Sequence, residues 1–271
     1  MTTASELLAA AAGRISRSDA RIVLAHLMQT TREALIMHPE ASVSAEIKSA
    51  FLEAVDKISR GCPVAYITGV REFWCRPFAV TPDVLVPRPD TETLIEEALA
   101  VIQKKNPRTC IDLGTGSGII AVTLALEAVG LKVSAADVSR AALEVARGNA
   151  ARLGAQVEFI HSNWFDALAE RKFDLIVSNP PYIDPDDEHM KNLSFEPASA
   201  LTDGIDGLED LRRIIKGAPA HLVCGGTLIL EHGYDQGAAV RKLLAEAGFC
   251  SVRTVRDLGG NERVSCAELP S

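Results

Sequence analysis

From residue 109 onward, apolar runs of strand length alternate with helical patterns, and this alternation limits the fold more than any other feature of the chain. The strand-length runs fall at 109–113, 132–137, 157–161, 173–178, 226–231, 252–256 and 264–269. Helical spacing of apolar residues fits 118–128, 140–153, 208–218 and 236–247. Parallel strands need a long crossover between them, and helices of this length supply it. The pattern therefore predicts an α/β fold, a largely parallel sheet with helices on both faces. The last two runs flank Leu258-Gly259-Gly260-Asn261, which leaves no room for a helix and predicts an antiparallel hairpin.

Ligands of such sheets bind outside the carboxyl ends of the strands. The run 109–113 passes through Asp112 into Gly114-Thr115-Gly116-Ser117-Gly118, and glycines here let the backbone approach a ligand closely and adopt positive φ. Asp137 ends the next strand, about where ribose hydroxyls are held in doubly wound sheets. The run 173–178 stops at Asn179-Pro180-Pro181-Tyr182. Proline cannot donate to a sheet ladder, and the residue before a proline is held extended. The two prolines thus form a rigid ledge. It offers acceptors for both hydrogens of a planar NH2 group, the Asn179 side-chain oxygen for one and the Pro180 carbonyl for the other. Tyr182 or a proline ring can pack on the flat face of the guest. The plain alternative is a strand terminator.

Gly116-Ser117-Gly118-Ile119-Ile120-Ala121 also fits a permissive dinucleotide fingerprint, with Asp137 at a suitable distance. Three features oppose that reading. The glycines cluster as G-x-G-x-G, Asp112 is a carboxylate unwelcome to a pyrophosphate, and the ledge has no part in hydride transfer.

The remaining chain sets the context. Residues 1–75 read as a small helical domain, with helical patterns at 20–28 and 31–37 and a third helix capped by Ser42 or Ser44. Prolines and glycines punctuate 61–90, where 78–81 and 84–86 could pair as a hairpin across Pro82-Asp83; residues 76–90 then form a linker hairpin before a domain at 91–271. Asp90 caps a helix running from Thr91 to about Lys105. Residues 183–207 form one long irregular stretch, of the kind that is functional or mobile in compact domains; its acidic run Asp184 to Glu188 reads as a solvated face. The six cysteines include no C-x-x-C pair, which suits a reducing compartment and points to neither a disulfide framework nor a metal site. The amino terminus lacks the basic region of a signal peptide, and no apolar run is long enough to span a bilayer. A cytoplasmic protein with no membrane contact is expected. The net charge of −8 argues against an extended nucleic-acid footprint.

Asp112 through Gly118, Asp137 and the Asn-Pro-Pro-Tyr ledge resemble the S-adenosylmethionine-dependent methyltransferases of the class I Rossmann-like fold. Other stretches are more specific: Pro63-Val64-Ala65-Tyr66-Ile67-Thr68-Gly69, Arg71-Glu72-Phe73-Trp74, Val86-Pro87-Arg88-Pro89-Asp90-Thr91-Glu92 and Asn163-Trp164-Phe165. Together they resemble the HemK/PrmC family, which methylates glutamine N5 in the Gly-Gly-Gln motif of peptide chain release factors. The resemblance covers essentially the whole chain and implies a mostly parallel seven-stranded sheet ending in an antiparallel hairpin, preceded by the helical domain. It implies that Gly114, Thr115, Gly116, Ser117 and Gly118 wrap the methionine part of S-adenosylmethionine, and that Asp137 holds the ribose. Asn163 replaces an acidic residue common in the family but can still accept from the adenine amino group, and Trp164 should pack near adenine unless it is a core indole. Asp112 either faces the cationic end of the cofactor or orders the turn. Arg88, Asp90 and Glu92 flank the pocket in that family. The resemblance further implies that Asn179, Pro180 and Tyr182 carry catalysis, that with Pro181 they bind substrate, and that Asn179 also contacts the cofactor. The implied partner is a release factor, with no direct nucleic acid. The alternatives are an amino-group methyltransferase acting on a ribosomal protein glutamine or a nucleic-acid base, and a non-catalytic module that keeps the cofactor site.

Overall fold

The computed structural model describes Thr2–Ser271, apart from the side chains of His189, Lys191 and Asn192. The chain divides into two compact units. One comprises the residues up to Val70 together with Asn192–Phe195, and the other Arg71–Lys191 with Glu196–Ser271.

The first unit is helical, and each main helix begins at a hydroxyl. The side chains of Thr3, Ser16, Thr31 and Ser44 accept from the amides of Glu6, Asp19, Ala34 and Ile47, opening Ala4–Ala10, Arg17–Leu27, Arg32–Met37 and Ala45–Ser59. Each such cap contributes about 1 kcal/mol by satisfying an orphan amide. Ser44 rather than Ser42 is the cap of the last helix, because Ser42–Val43 is occupied in a short antiparallel pairing with Thr2–Thr3. Val23, Leu24, Leu35, Phe51 and Val55 are buried at the centre.

The second unit is built on seven strands: β1 Thr109–Leu113, β2 Lys132–Asp137, β3 Val157–His161, β4 Phe173–Ser178, β5 Leu222–Glu231, β6 Cys250–Arg256 and β7 Glu262–Glu268. Their order across the sheet is β6-β7-β5-β4-β1-β2-β3, parallel except that β7 runs antiparallel to both β5 and β6. The alternation anticipated a largely parallel sheet with helices on both faces, and the seven strands with their antiparallel end are the class I methyltransferase arrangement that the resemblance implied. Successive residues of a strand point to opposite faces. Cys110, Leu175 and Val177 accordingly pack against α1 (Glu92–Lys105), α2 (Ile119–Glu127) and α3 (Arg140–Leu153). Ile111, Leu113 and Ile176 pack against α4 (Glu209–His221) and α5 (Gly237–Glu246). These central residues are fully buried, each contributing about 1.5–3 kcal/mol on burial. The chain leaves β1 toward β2 and β3, then returns to place β4 on the other side of β1. A crevice opens at that reversal of strand order.

Two local expectations are corrected. The hairpin near the linker pairs Val70–Phe73 with Arg76–Ala79, not 78–81 with 84–86. Its turn residues Trp74 and Cys75 both adopt left-handed φ, +51° and +55°, where bulky side chains are uncommon. Around Pro82-Asp83 the chain makes a turn in which the Thr81 hydroxyl accepts from the Asp83 amide at 3.2 Å. Asp90 does not cap α1, because Pro89–Thr91 forms a single 3₁₀ turn ahead of it; Asp90 instead lies 3.5 Å from the Arg263 guanidinium. No helix among the described residues is long and apolar enough to cross a membrane.

Candidate active site

The glycine turn after β1 is held from three sides. The amides of Gly114 and Thr115 donate to the Ala136 carbonyl at 2.8 and 3.1 Å, tying the turn to β2. Buried Asn149 of α3 donates to the Ser117 carbonyl at 2.8 Å and to the Ala79 carbonyl at 3.0 Å. Asp112 is fully buried, and one of its oxygens accepts from the Thr115 hydroxyl at 2.6 Å and the Ala121 amide at 3.2 Å. Of its two sequence readings, ordering the turn is the one its contacts fit. Burial raises its carboxyl to about 7. A Cβ at Gly114, where φ is +72°, would stand 3.2 Å from the Trp164 ring.

Beside the turn lies a cavity of about 370 Å³. Gly114, Thr115, Gly116, Ser117, Asp137, Asn163, Trp164, Asn179 and Pro181 line it, so most of the residues singled out in the sequence converge on one space. Asp137 accepts from the Gly116 amide at 2.9 Å and the Ser139 amide at 2.8 Å. Burial pushes its carboxyl upward, against these amides, which favour the charged form. Trp164 presents its indole to the cavity while its ring nitrogen donates to Asp210 at 3.1 Å.

Gly118, Pro180 and Tyr182 do not line the cavity. Gly118, at φ +83°, packs against Ala146 and serves to bring α2 close to α3. Pro180 is buried. Tyr182 packs against the core beneath α4 and α5, and its hydroxyl donates to Glu231 at 3.0 Å. Burial and the neighbouring carboxylate hold that phenol well above its ordinary range. Pro181, not Tyr182, therefore forms the wall at the ledge. Asn179 donates its side-chain NH2 to the Thr91 hydroxyl at 3.3 Å, which leaves its carbonyl oxygen for a guest.

Several residues at the site escaped the sequence reading. The loop at 183–207 is organised around two acids. Asp203 accepts from the amides of Ile205, Asp206, Gly207 and Glu209, while Glu196 accepts from the Val86 amide and from Arg88. Arg88, open in the sequence reading, thus lines the cavity and pairs with Glu196. Thr91 and Glu231 are buried beside the ledge. A carboxylate ending the apolar run Leu228-Ile229-Leu230 was a legible signal for Glu231; nothing local marked Glu196.

Residues 91–257 match the family model of the methyltransferase small domain, and residues 1–69 match that of the PrmC N-terminal domain. A release factor glutamine methyltransferase of Neisseria gonorrhoeae is 49% identical over 256 residues, covering 93% of each chain. One from Xylella fastidiosa is 47% identical over 267 residues, covering 97% of each. The chain belongs to the release factor glutamine methyltransferase family. Among solved structures, a Pyrococcus furiosus methyltransferase superposes with a TM-score of 0.56 at 17% identity, over 84% of this chain and all of that one. The Thermus thermophilus 16S rRNA N2 G1207 methyltransferase gives 0.55 at 21% identity, over 74% of this chain and 49% of that one. At such identities these likenesses speak to the fold alone. The cofactor of a release factor glutamine methyltransferase is S-adenosylmethionine, and the cavity fits it. The bare backbone at Gly114 leaves room beside the Trp164 indole, and the half-buried Asp137 carboxylate offers an acceptor to hydroxyl groups. No cluster of three or more His, Cys, Asp or Glu suited to a metal occurs among the described residues.

Proposed function

We infer that this chain methylates the side-chain nitrogen N5 of the glutamine in the Gly-Gly-Gln motif of peptide chain release factors. The observation that carries the chemistry is the direction of Asn179, whose NH2 is taken by Thr91 so that its oxygen is left to accept from a guest amide. Bound S-adenosylmethionine supplies a sulfonium methyl group as electrophile. Gly114, Thr115, Gly116 and Ser117 support it from the backbone side, Asp137 accepts from its ribose hydroxyls, and Asn163 and Trp164 flank its adenine.

A glutamine nitrogen is a poor nucleophile because its lone pair is delocalised into the carbonyl. With its two N–H bonds held by the Asn179 oxygen and the Pro180 carbonyl, the nitrogen is favoured in a more pyramidal form with the lone pair directed away from both. No base removes a proton beforehand. The two acceptors also stabilise the positive charge that develops on nitrogen during transfer, and the surplus proton leaves afterwards to solvent. Rate therefore comes from positioning and from oriented dipoles. Pro181 supplies the flat wall against which the amide lies.

The helical first unit is assigned to docking of the release factor, since it holds none of these residues and a glutamine on a large partner needs recognition beyond one side chain. A net charge of −8 favours a protein partner over a nucleic acid, and six free cysteines suit the reducing cytoplasm. The test is incubation with S-adenosylmethionine and release factor, ribosomal protein or oligonucleotide, followed by mass spectrometry. A methyl group on the Gly-Gly-Gln peptide alone is expected; a methyl group only on one of the other two overturns the reading.

A further inference from the structure

Trp164 sits in left-handed backbone, φ +51°, where bulky side chains are uncommon. Buried Ser162 holds the backbone there: its hydroxyl donates to the Trp164 carbonyl at 2.9 Å and accepts from the Ala167 amide at 3.0 Å. The benzene edge of the indole lies against Gly114, where a Cβ would stand 3.2 Å from Cζ3 and 3.4 Å from Cη2. The opposite edge carries Nε1, which donates to Asp210 Oδ1 at 3.1 Å. Asp210 is in the first turn of α4, with 15% of its side chain exposed, and Arg213 lies 3.8 Å from the same oxygen. Leu208 gives the start of α4 no side-chain cap; Asp203 accepts from the Glu209 amide there at 2.7 Å. Trp164, Asp203, Asp210 and Arg213 all line the cavity.

Contact with Gly114 sets how near the indole comes to the glycine turn, but not how the ring is turned. The torsion that joins a planar ring to its chain is broad and roughly two-fold, so packing on one edge leaves the ring free to swing. An N–H bond has a direction, and its acceptor fixes the ring about that torsion. Asp210 is that acceptor. We propose that Asp210 is a positioning residue that orients the Trp164 indole as a wall for the cofactor, so that binding of S-adenosylmethionine depends on Asp210 through Trp164. This rests on the placement of Trp164 beside the adenine. Asp203 anchors the start of α4, so the loop at 183–207 acts on the cofactor wall by way of Asp210.

The test compares the parent with Trp164→Phe, Asp210→Leu, Asp210→Asn and the double variant of Trp164→Phe and Asp210→Leu. Trp164→Phe keeps an aromatic face and loses the N–H; Asp210→Leu keeps the volume and loses the acceptor; Asp210→Asn keeps an acceptor oxygen. Calorimetric binding of S-adenosylhomocysteine and the indole N–H signals in nuclear magnetic resonance are read on each. The chain has two tryptophans, and the signal missing from Trp164→Phe belongs to Trp164. That signal should move in both Asp210 variants, while the signal of Trp74, whose Nε1 donates to Glu127, stays in place. Asp210→Leu should bind S-adenosylhomocysteine about threefold to tenfold more weakly, the worth of one hydrogen bond, and Asp210→Asn should lose less. The double variant should bind within about twofold of Trp164→Phe, because the two changes remove the same bond. Parent affinity in Asp210→Leu overturns the proposal, and so does a Trp164 signal that stays in place. Losses that multiply in the double variant overturn it too, since Asp210 would then act on the ligand without the indole. Should Asp210→Leu fail to fold, the Trp164 signal in Asp210→Asn decides in the same way. If Trp164→Ala binds as tightly as the parent, the placement of Trp164 beside the adenine falls and the proposal with it. If Trp164→Ala binds weakly while the Asp210 variants bind normally, only the role of Asp210 falls.

Discussion

Glu196, with only 2% of its side chain exposed, accepts a hydrogen bond from the Val86 amide 110 residues earlier, at 3.0 Å, and pairs with Arg88 through its other oxygen. A loop without regular strands or long helices is thereby fixed to a second segment, 83–88, that also lines the cavity. Glu196→Ala strands a buried amide and one arginine, so it should cost about 1–3 kcal/mol of stability. Urea denaturation measures it. Glu196→Gln, which keeps one acceptor, should lose less, and equal losses in the two variants would contradict the role given to the Val86 amide.

For Asn179 the expectation is sharper. Asn179→Ala removes the acceptor for one substrate N–H and should slow single-turnover transfer about 10²–10³-fold. Asn179→Asp retains an oxygen toward the guest and adds favourable charge, but it cannot donate to Thr91 and sets a second carboxylate near Glu231. It should transfer faster than the alanine variant and slower than the parent.

Asp137→Ala removes a charged acceptor for ligand hydroxyls and also frees the Gly116 and Ser139 amides. Binding of S-adenosylhomocysteine should weaken by about 1.5–3 kcal/mol, a loss typical of hydrogen bonds to charged groups. Calorimetry reads it directly, and unchanged affinity would remove Asp137 from the cofactor site.

Gly207 and Gly204 form a matched pair. Both adopt left-handed backbone, φ +70° and +76°, but a Cβ at Gly207 would stand 2.4 Å from the Tyr182 carbonyl oxygen, whereas one at Gly204 meets nothing within 4 Å. Gly204→Ala should cost only the conformational penalty, about 1–2 kcal/mol. Gly207→Ala should cost more and slow methyl transfer as well, because the chain just past the ledge has to move. Equal melting points for the two would count against this.

Two buried carboxyls give a pH signature. Asp112 and Glu231 are each raised to about 7 in the folded protein, mainly by burial, from ordinary values of 3.8 and 4.5. Between those values the folded state binds more protons than the unfolded one. The stability these groups contribute is therefore fullest at low pH and is lost as pH rises through about 7. Denaturation midpoints compared at about pH 6 and pH 8 should show the Asp112→Asn variant losing less stability on the alkaline side than the parent.

What could be read from the chain was whatever local sterics determine. Alternating side chains located the strands, glycines located the turn, and two prolines located the end of β4. The errors share a physical cause. Trp74 and Cys75 form a turn in a conformation that their side chains disfavour, so no local preference marked that hairpin. Pro181 rather than Tyr182 reached the cavity because the chain bends past the prolines and carries the phenol to Glu231. Thr91, Glu196 and Glu231 owe their roles to partners dozens of residues away. A one-dimensional pattern holds no record of them.

The sheet has one more effect on the chemistry. Leu113, which precedes the glycine turn, pairs with Ser178, which precedes the ledge, and the Ser178 hydroxyl donates to the Leu113 carbonyl at 2.6 Å. The gap across which a methyl group must travel is thus measured out by two neighbouring backbones rather than by any side chain in the cavity. A slip of one residue between them would carry Asn179 about 3.3 Å along the strand and turn it to the opposite face. Side chains that recognise the partner can change freely around such a gauge, because the distance it sets does not depend on them.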